Sequence, residues 1–208
     1  MKTILENFRL EGNVGEVLPL GSGLINDTYR VMTDEGPNYV LQRINHAIFK
    51  DVELLQNNIE AVTSHIRAKL EAAGEQDVRR KVLKFIPLKS EDKTWWFDGT
   101  SYWRVSELIE DSMTIETVNP EYSYYAGRAF GNFQSMLADI PAQLGETIPD
   151  FHNTPKRFND FLKAVEEDKC GRAGSVKEEI EFIKSRQDFY SVLVDSNKKG
   201  ELPLRVSH

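Results

Sequence analysis

The sequence predicts an α+β fold in two lobes, an antiparallel sheet with one long helix followed by a helical lobe. Two patterns predict it. Over residues 15–109, apolar residues alternate in short runs that are separated by glycine turns and interrupted by one helical stretch. From residue 121 onward they recur every three or four positions, as they do on helices. A chain of 208 residues with 40% hydrophobic content can form one large domain or two small lobes.

Three strands open the chain. The predicted order within residues 15–45 is strand, glycine turn, strand over residues 28–32, turn over residues 34–37, and strand over residues 39–44. A long helix follows, which Asp51 can cap and Gly74 can end. Three more extended segments are predicted over residues 82–87, 95–98 and 102–109, where aromatic and β-branched residues alternate. Because each hairpin connection is short, the predicted sheet of five or six strands is antiparallel.

The rest of the chain is predicted to be helical. One wide apolar stripe covers residues 125–140, Pro155 can start a second helix, and residues 176–193 contain one or two more. Residues 110–120 are polar and end in proline, which is typical of a linker. The predicted domains are therefore a first lobe over 1–109, a linker over 110–120 and a partial helical lobe over 121–208. Residues 203–206 are predicted to form a last short strand.

Composition excludes several classes of protein. The 26 Lys and Arg residues against 33 Asp and Glu residues give a net charge of −7, which disfavours nucleic-acid binding. There is no run of 18 apolar residues and no apolar segment near Met1, so neither membrane spanning nor secretion is expected. We expect a cytoplasmic protein. The single cysteine, Cys170, is interpreted as an ordinary thiol rather than a nucleophile.

The first glycine turn is a candidate phosphate-binding loop. Two glycines in such a turn let the backbone approach a ligand closely, and successive N–H groups can form an anion-binding concavity. The alternative is a hairpin turn that binds nothing, because Gly-x-Gly alone is weak evidence. The predicted nucleotide-binding residues of this loop are Gly21, Ser22, Gly23, Leu24, Ile25, Asn26, Asp27 and Thr28.

The third strand and the long helix carry candidate phosphate-binding side chains. A kinase places a lysine on its third strand, but Gln42 stands at that position here, with Arg43 next to it on the opposite face of a regular strand. Either side chain can donate to phosphate oxygens. Glu60 on the helix is a candidate partner, and the alternative is a solvated glutamate on a helix face.

The end of the last predicted strand is a candidate adenine-binding segment. Adenine requires one backbone donor, one backbone acceptor and an apolar slot, which Glu107, Leu108 and Ile109 can supply. An ordinary edge strand is the alternative. In the helical lobe, His152 and Arg157 are candidate substrate-binding residues, and the alternative is a helix start with solvated polar groups. The three tryptophans lie in strand patterns and are interpreted as packing residues.

Several blocks, in order, resemble one family. They are GSGLINDTYRV (residues 21–31), YVLQRIN (39–45), IFKD (48–51), NIEAVTSHI (58–66), FHNTPKRF (151–158) and LRVSH (204–208). The chain is similar, from about residue 12 to residue 208, to N-acetylhexosamine 1-kinases of the aminoglycoside phosphotransferase and choline kinase superfamily. The resemblance implies a protein-kinase-like fold and an ATP-dependent transfer of the γ-phosphoryl group to a small hydroxyl substrate, in particular a sugar.

The chain also departs from the family pattern. The lysine of the third strand is missing. In the family, a loop supplies the catalytic Asp and a metal-binding Asn, and an Asp-containing strand that binds Mg²⁺ follows it. We expect these elements beyond His208, which borders that loop. We therefore expect no catalytic residue within the chain and negligible turnover by it alone. An inactive nucleotide-binding module and a gene fragment without a function of its own remain alternatives. The uncovered apolar stripes of the helical lobe predict self-association.

Overall fold

The structure is a computed structural model, which describes residues 1–21, 23–115 and 117–207. As predicted, it is an α+β structure with an antiparallel sheet, in this case of five strands. The chain forms two compact units, Met1–Ile148 with Ser207 in the first and Pro149–Val206 in the second. The predicted linker, residues 110–120, lies within the first unit, and its role as a boundary between lobes stays a prediction.

The sheet has the spatial order β1-β2-β3-β5-β4, and all neighbouring strands are antiparallel. Its strands are β1 (Val14–Pro19), β2 (Asp27–Thr33), β3 (Tyr39–Ile44), β4 (Trp95–Phe97) and β5 (Tyr102–Glu107). The extended segment predicted over residues 82–87 forms no named strand. It makes a single bridge between Phe85 and Ser106, supported by a hydrogen bond of 2.9 Å from the Ile86 N–H to the Val105 carbonyl.

Seven α-helices accompany these strands within the described residues. They are α1 (Lys2–Leu5), α2 (Val52–Ala72), α3 (Val78–Lys81), α4 (Pro120–Met136), α5 (Thr154–Glu167), α6 (Lys177–Lys184) and α7 (Val192–Lys198). The short helices α1 and α3 are too brief to leave a periodic pattern, and the sequence did not predict them. Two 3₁₀ turns, Ala173–Val176 and Gln187–Phe189, lie before and after α6.

The long helix α2 begins and ends as its sequence predicts. The Asp51 carboxylate accepts a hydrogen bond of 2.8 Å from the Leu54 N–H, which satisfies a donor of the first turn. At the other end Gly74 has a φ of 69°, a left-handed conformation in which glycine carries no steric cost. Helix α2 lies between β3 and β4 in sequence, so it is positioned to pack on one face of the sheet.

The core of the first unit has two apolar clusters. The larger contains Phe8 and Val31, each wholly buried, together with Leu5, Tyr39, Leu41, Ile86, Leu88, Trp103 and Val105. The smaller joins α2 to the sheet through Ile44, Val52 and Leu55. Helix α1 therefore covers one face of the sheet, to which Ile86 and Leu88 also contribute side chains, and α2 covers part of the other.

The bounds of the later helices agree better with their capping residues than with the extent of their apolar stripes. Asn119 caps α4 and Asn153 caps α5, and a proline lies within the first two residues of each helix. Helix α4 consequently starts five residues before the predicted stripe and ends at Met136. Several of its large apolar side chains are exposed, among them Tyr124 and Phe130. Self-association through them stays a prediction.

Two further observations complete the fold. The short strand predicted over residues 203–206 was wrong, because no strand forms within described residues 203–207. A β-strand needs a partner to satisfy its backbone groups, and those residues pair with no strand in the described structure. In the part of the chain that the structure describes, no helix is both long and apolar enough to cross a lipid bilayer.

Candidate functional site

The two faces of the sheet carry different chemistry. The registers place Tyr29, Leu41 and Val105 side by side, and those residues belong to the larger apolar cluster or pack against it. One residue further along each strand, Thr28 is opposite Gln42, and Gln42 is opposite Arg104. Because side chains alternate between faces along a strand, these three polar residues share the face that α2 partly covers.

A chain of hydrogen bonds joins the three strands to the helix. The Gln42 Nε2 donates to Thr28 Oγ1 at 3.1 Å, and Arg104 Nε donates to Gln42 Oε1 at 3.0 Å. Arg104 Nη1 also donates to Gln56 Oε1 on α2 at 3.3 Å. The guanidinium lies over the ring of Phe85, with 5.3 Å from Cζ to the ring centroid. We call Thr28, Gln42, Gln56 and Arg104 the polar network.

Arg104 carries the charge of this network. Burial lowers the pKa of its guanidinium to about 10, so the group stays protonated at neutral pH. Its hydrogen-bond acceptors are amide oxygens, and among the described residues it forms no ion pair with a carboxylate. A half-buried cation held only by neutral groups is energetically costly, because water is removed and no opposite charge replaces it.

Gln56 has an unsatisfied donor next to this charge. The residue is wholly buried on α2, and its Nε2 has no hydrogen-bond partner within the described structure. Reversing the amide does not remove the problem, because the NH₂ group would then face the Arg104 N–H donors. The network therefore keeps both a positive charge and a spare N–H donor that the surrounding protein does not satisfy.

The glycine turn leads directly into the network. A hydrogen bond of 2.9 Å from the Leu20 N–H to the Thr28 carbonyl closes the turn, and Thr28 is the second residue of β2. Gly21 has a φ of 73°, whereas Gly23 does not have a positive φ. A Cβ at Gly23 would lie 3.5 Å from the Asn26 carbonyl oxygen, an ordinary contact. The glycine of the turn with a left-handed conformation is thus Gly21. Ser22 lies outside the described residues.

The other predicted residues of the turn divide into exposed and tethered ones. Leu24 is 99% exposed, and Ile25 is also exposed. Asn26 is tethered, since its Oδ1 accepts a hydrogen bond of 2.9 Å from the Asn45 N–H at the end of β3. The turn is therefore fixed to the sheet at its end while its tip remains in solvent.

The strand-three candidates separate onto opposite faces, as predicted for a regular strand. Gln42 lies in the polar network, but Arg43 is on the other face, where its Nε donates to Asp27 Oδ2 at 2.6 Å and both side chains are about half exposed. Glu60 on α2 accepts a hydrogen bond from the buried Thr94 hydroxyl and forms no ion pair with Arg104 in the described structure. Only Gln42 of these three candidates contacts the network.

The predicted adenine-binding segment lies at the end of β5. The Glu107 side chain is buried on the face of the apolar cluster and receives hydrogen bonds from Lys84 at 2.6 Å and Arg79 at 2.9 Å. Burial alone would raise the pKa of Glu107, but these two cations outweigh it and the pKa lies below its ordinary value. The Leu108 N–H donates to the Asn38 carbonyl at 2.8 Å.

A cavity of about 490 Å³ adjoins that segment. Its lining residues are Gly36, Pro37, Asn38, Arg79, Arg80, Glu107, Leu108, Ile109 and Glu110. Arg79 forms an ion pair with Glu107, and Arg80 Nη1 donates to the Glu110 backbone carbonyl at 2.7 Å. The three predicted residues are therefore brought together at one cavity, whose volume is in the range of small-molecule sites.

The predicted substrate residues lie in the second unit. The rings of Phe151 and His152 meet edge to face at 5.0 Å, and Arg157 lies over the Phe151 ring while its Nε donates to the Phe151 carbonyl. Both predicted residues therefore gather around Phe151 at the start of α5. A nearby depression of about 430 Å³ between α5 and α7 is lined instead by Asn153, Lys156, Ser191 and Lys198 among others. His208 lies outside the described residues.

Within the described ranges, no three His, Cys, Asp or Glu side chains are close enough to hold a metal ion. The chain matches none of the protein-family models with which it was compared.

Sequence reasoning missed two members of the polar network, Arg104 and Gln56. A signal for Arg104 existed, because it is a charged residue between Trp103 and Val105 in a strand that otherwise reads as buried. Gln56 follows Leu55 on the apolar side of α2 and gave a weaker signal of the same kind. What the sequence did not contain is the register that brings both next to Gln42.

Proposed function

We propose that the chain carries the nucleotide-binding lobe of an ATP-dependent phosphotransferase with a protein-kinase-like, two-lobe fold, whose acceptor is a hydroxyl group of a small sugar. In this reaction the acceptor oxygen bonds to the γ-phosphorus of ATP, the bond to the β–γ bridging oxygen breaks, the hydroxyl proton is lost to a base, and ADP leaves. Binding and placing the triphosphate is the part of this work proposed for the first unit.

One observation carries the proposal. The glycine turn between β1 and β2 runs into Thr28, from which a hydrogen-bonded path leads through Gln42 to the half-buried cation of Arg104. A backbone turn that can approach an anion therefore lies at the same end of the sheet as a positive charge that has no counter-charge among the described residues. Phosphate groups are the ligands that such a combination favours.

Two supporting observations concern the rest of the nucleotide. The sheet order β1-β2-β3-β5-β4, with the long helix after β3, is the arrangement that the resemblance to kinases implies for a nucleotide lobe. The end of β5 adjoins a cavity of about 490 Å³ that includes Leu108 and Ile109, the residues proposed to receive adenine. The sugar acceptor rests on the sequence resemblance and on His152 and Arg157 as proposed contacts.

The test is calorimetric titration of the chain with ATP and with ADP, each with and without Mg²⁺. Gly23→Ala is the decisive variant, because its unstrained backbone lets binding change without a loss of stability. If the turn holds phosphates, the added methyl group obstructs backbone approach, and ATP affinity falls about ten-fold, which is about 1.4 kcal/mol. Wild-type protein that does not bind ATP would overturn the proposal.

Gly15→Ala is the matched control. Gly15 lies in β1 away from the turn, has no positive φ, and a Cβ there would also make a 3.5 Å contact, with the Met32 carbonyl oxygen. We expect ATP affinity to be unchanged in this variant. Equal affinity of the Gly23→Ala protein and the wild type would count against the phosphate-binding turn. Release of ADP in the presence of N-acetylhexosamines then separates an active kinase from a protein that only binds nucleotide.

A further inference from the structure

The polar network has donors in excess of acceptors. The amide oxygens of Gln42 and Gln56 are both occupied by Arg104, and the Thr28 oxygen accepts from Gln42. What remains are donors: the rest of the guanidinium, the Gln56 NH₂ group and the Thr28 hydroxyl proton. A ligand that completes this set must supply several acceptor atoms and negative charge.

The unsatisfied amide of Gln56 is a second, independent indication that an acceptor is missing. Gln56 Nε2 is buried and without a partner in the described residues, at the residue that already holds the cation through its Oε1. Buried polar groups in native proteins are nearly always hydrogen-bonded, so an orphaned amide beside an uncompensated cation indicates a missing acceptor. Thr28, Gln42 and Arg104 are each half-buried, so these three members of the network can be reached from solvent, whereas Gln56 is wholly buried.

We propose that Arg104, Gln56 and Thr28 form the subsite for phosphoryl oxygens, in which Arg104 on β5 supplies the positive charge that the third strand lacks. This inference rests on the proposed function where the phosphoryl group belongs to ATP. Gln42, at the place of a strand-three lysine, acts as a positioning residue that orients the guanidinium through the 3.0 Å hydrogen bond. A guanidinium suits this task because its planar donors match phosphate oxygens in pairs.

The test measures binding of sodium tripolyphosphate, ATP and adenosine to the folded chain by calorimetry, with melting temperature recorded for every variant. Arg104→Gln removes the charge and Gln56→Leu removes the orphaned amide. We expect the affinity for tripolyphosphate and ATP to fall at least ten-fold in the first and several-fold in the second. Raising the salt concentration weakens binding to the wild type more than to Arg104→Gln.

Arg43→Gln is the matched control, because it removes the same charge from the neighbouring strand on the opposite face, where the Arg43 side chain is about half exposed and pairs with Asp27. We expect its affinities to equal those of the wild type. If Arg104→Gln does not fold, Arg104→Lys keeps the charge without the paired donors and should bind with intermediate affinity. Gln56→Leu then remains a test that leaves the charge in place.

The outcomes separate the two proposals. Unchanged ATP affinity in Arg104→Gln overturns the subsite and leaves the proposed nucleotide binding intact. Tripolyphosphate binding that depends on Arg104 without any binding of ATP supports the subsite and overturns the nucleotide proposal. Wild-type protein that binds neither compound overturns both, and an equal loss of affinity in Arg43→Gln overturns the assignment to Arg104.

Discussion

The two faces of the sheet differ in how their side chains contribute to stability. The face under α1 is packed with apolar side chains, several of them wholly buried, and the buried carboxylate of Glu107 has two cationic partners there. The face under α2 is apolar around Ile44. Beside that cluster it holds a cation and an amide N–H that have no counter-charge and no partner among the described residues. The first face stabilises the sheet. The second face is destabilised by a desolvated charge and an unsatisfied amide, which the fold alone does not require.

The largest effect is expected on the apolar face. Phe8 is wholly buried against the sheet, so Phe8→Ala removes its apolar contacts and leaves a cavity. We expect a loss of about 3–5 kcal/mol in the free energy of unfolding, measured by urea denaturation. A loss below about 1 kcal/mol would mean that this face is not the main source of stability.

The polar network should behave in the opposite way. Gln42→Leu, Gln56→Leu and Arg104→Met together remove the desolvated cation and both amides, so none of these groups is left without its partner. We expect the triple variant to be as stable as the wild type or up to about 4 kcal/mol more stable, with no phosphate binding. The measurement is urea denaturation beside calorimetry. Strong destabilisation of the triple variant would show that the network is structural, and the contrast between faces would then fail.

Glu107 adds pH dependence to the apolar face. Its folded pKa is lowered, so its contribution to stability is complete above the ordinary glutamate value of 4.5 and is lost as pH falls below it. Because both cationic partners reach into solvent, we expect only ~1–2 kcal/mol at neutral pH. Glu107→Gln should therefore lower the melting temperature at pH 7 and flatten its decline in acid. Glu16→Gln, at an exposed position of β1, is the control and should leave the curve unchanged.

The smallest effect is expected for the exposed ion pair between Arg43 and Asp27. Both side chains are about half in solvent, so screening and side-chain entropy offset most of the attraction. Arg43→Gln should change the free energy of unfolding by less than about 1 kcal/mol. A larger loss, in the same denaturation experiment, would show that charge rather than burial governs the difference between Arg43 and Arg104.

Much of the local structure could be predicted from the sequence because its causes are local. The predicted bounds of β3 are confirmed, as are Asp51 and Gly74 at the two ends of α2. Alternation, capping oxygens and left-handed glycines act over a few residues, so they are visible in the sequence. The segment at 82–87 was only partly predicted, since whether an extended segment becomes a strand depends on how far its partner extends.

The candidate site could be predicted only in part. The glycine turn, Gln42 and the end of β5 were recognised as single patterns, but nothing local connects Gln42 with Arg104, which is 62 residues away in sequence. Likewise, the two glycines predicted a turn, but only the structure shows that the positive φ belongs to Gly21 and not to Gly23. Glycine residues indicate a turn. Which of them adopts the left-handed conformation depends on how the closed turn is fixed to the sheet.

The sequence by itself determined the α+β class, the antiparallel strands, the long capped helix and the separation of Gln42 and Arg43 onto opposite faces, since each follows from periodicity or short-range chemistry. Only the tertiary structure decided which polar residues meet. The register of β3 against β5 places Arg104 beside Gln42, and the packing of α2 places Gln56 above both. Strand register and helix position are set by the sum of many side-chain contacts across the core, and a single stretch of sequence does not contain that sum.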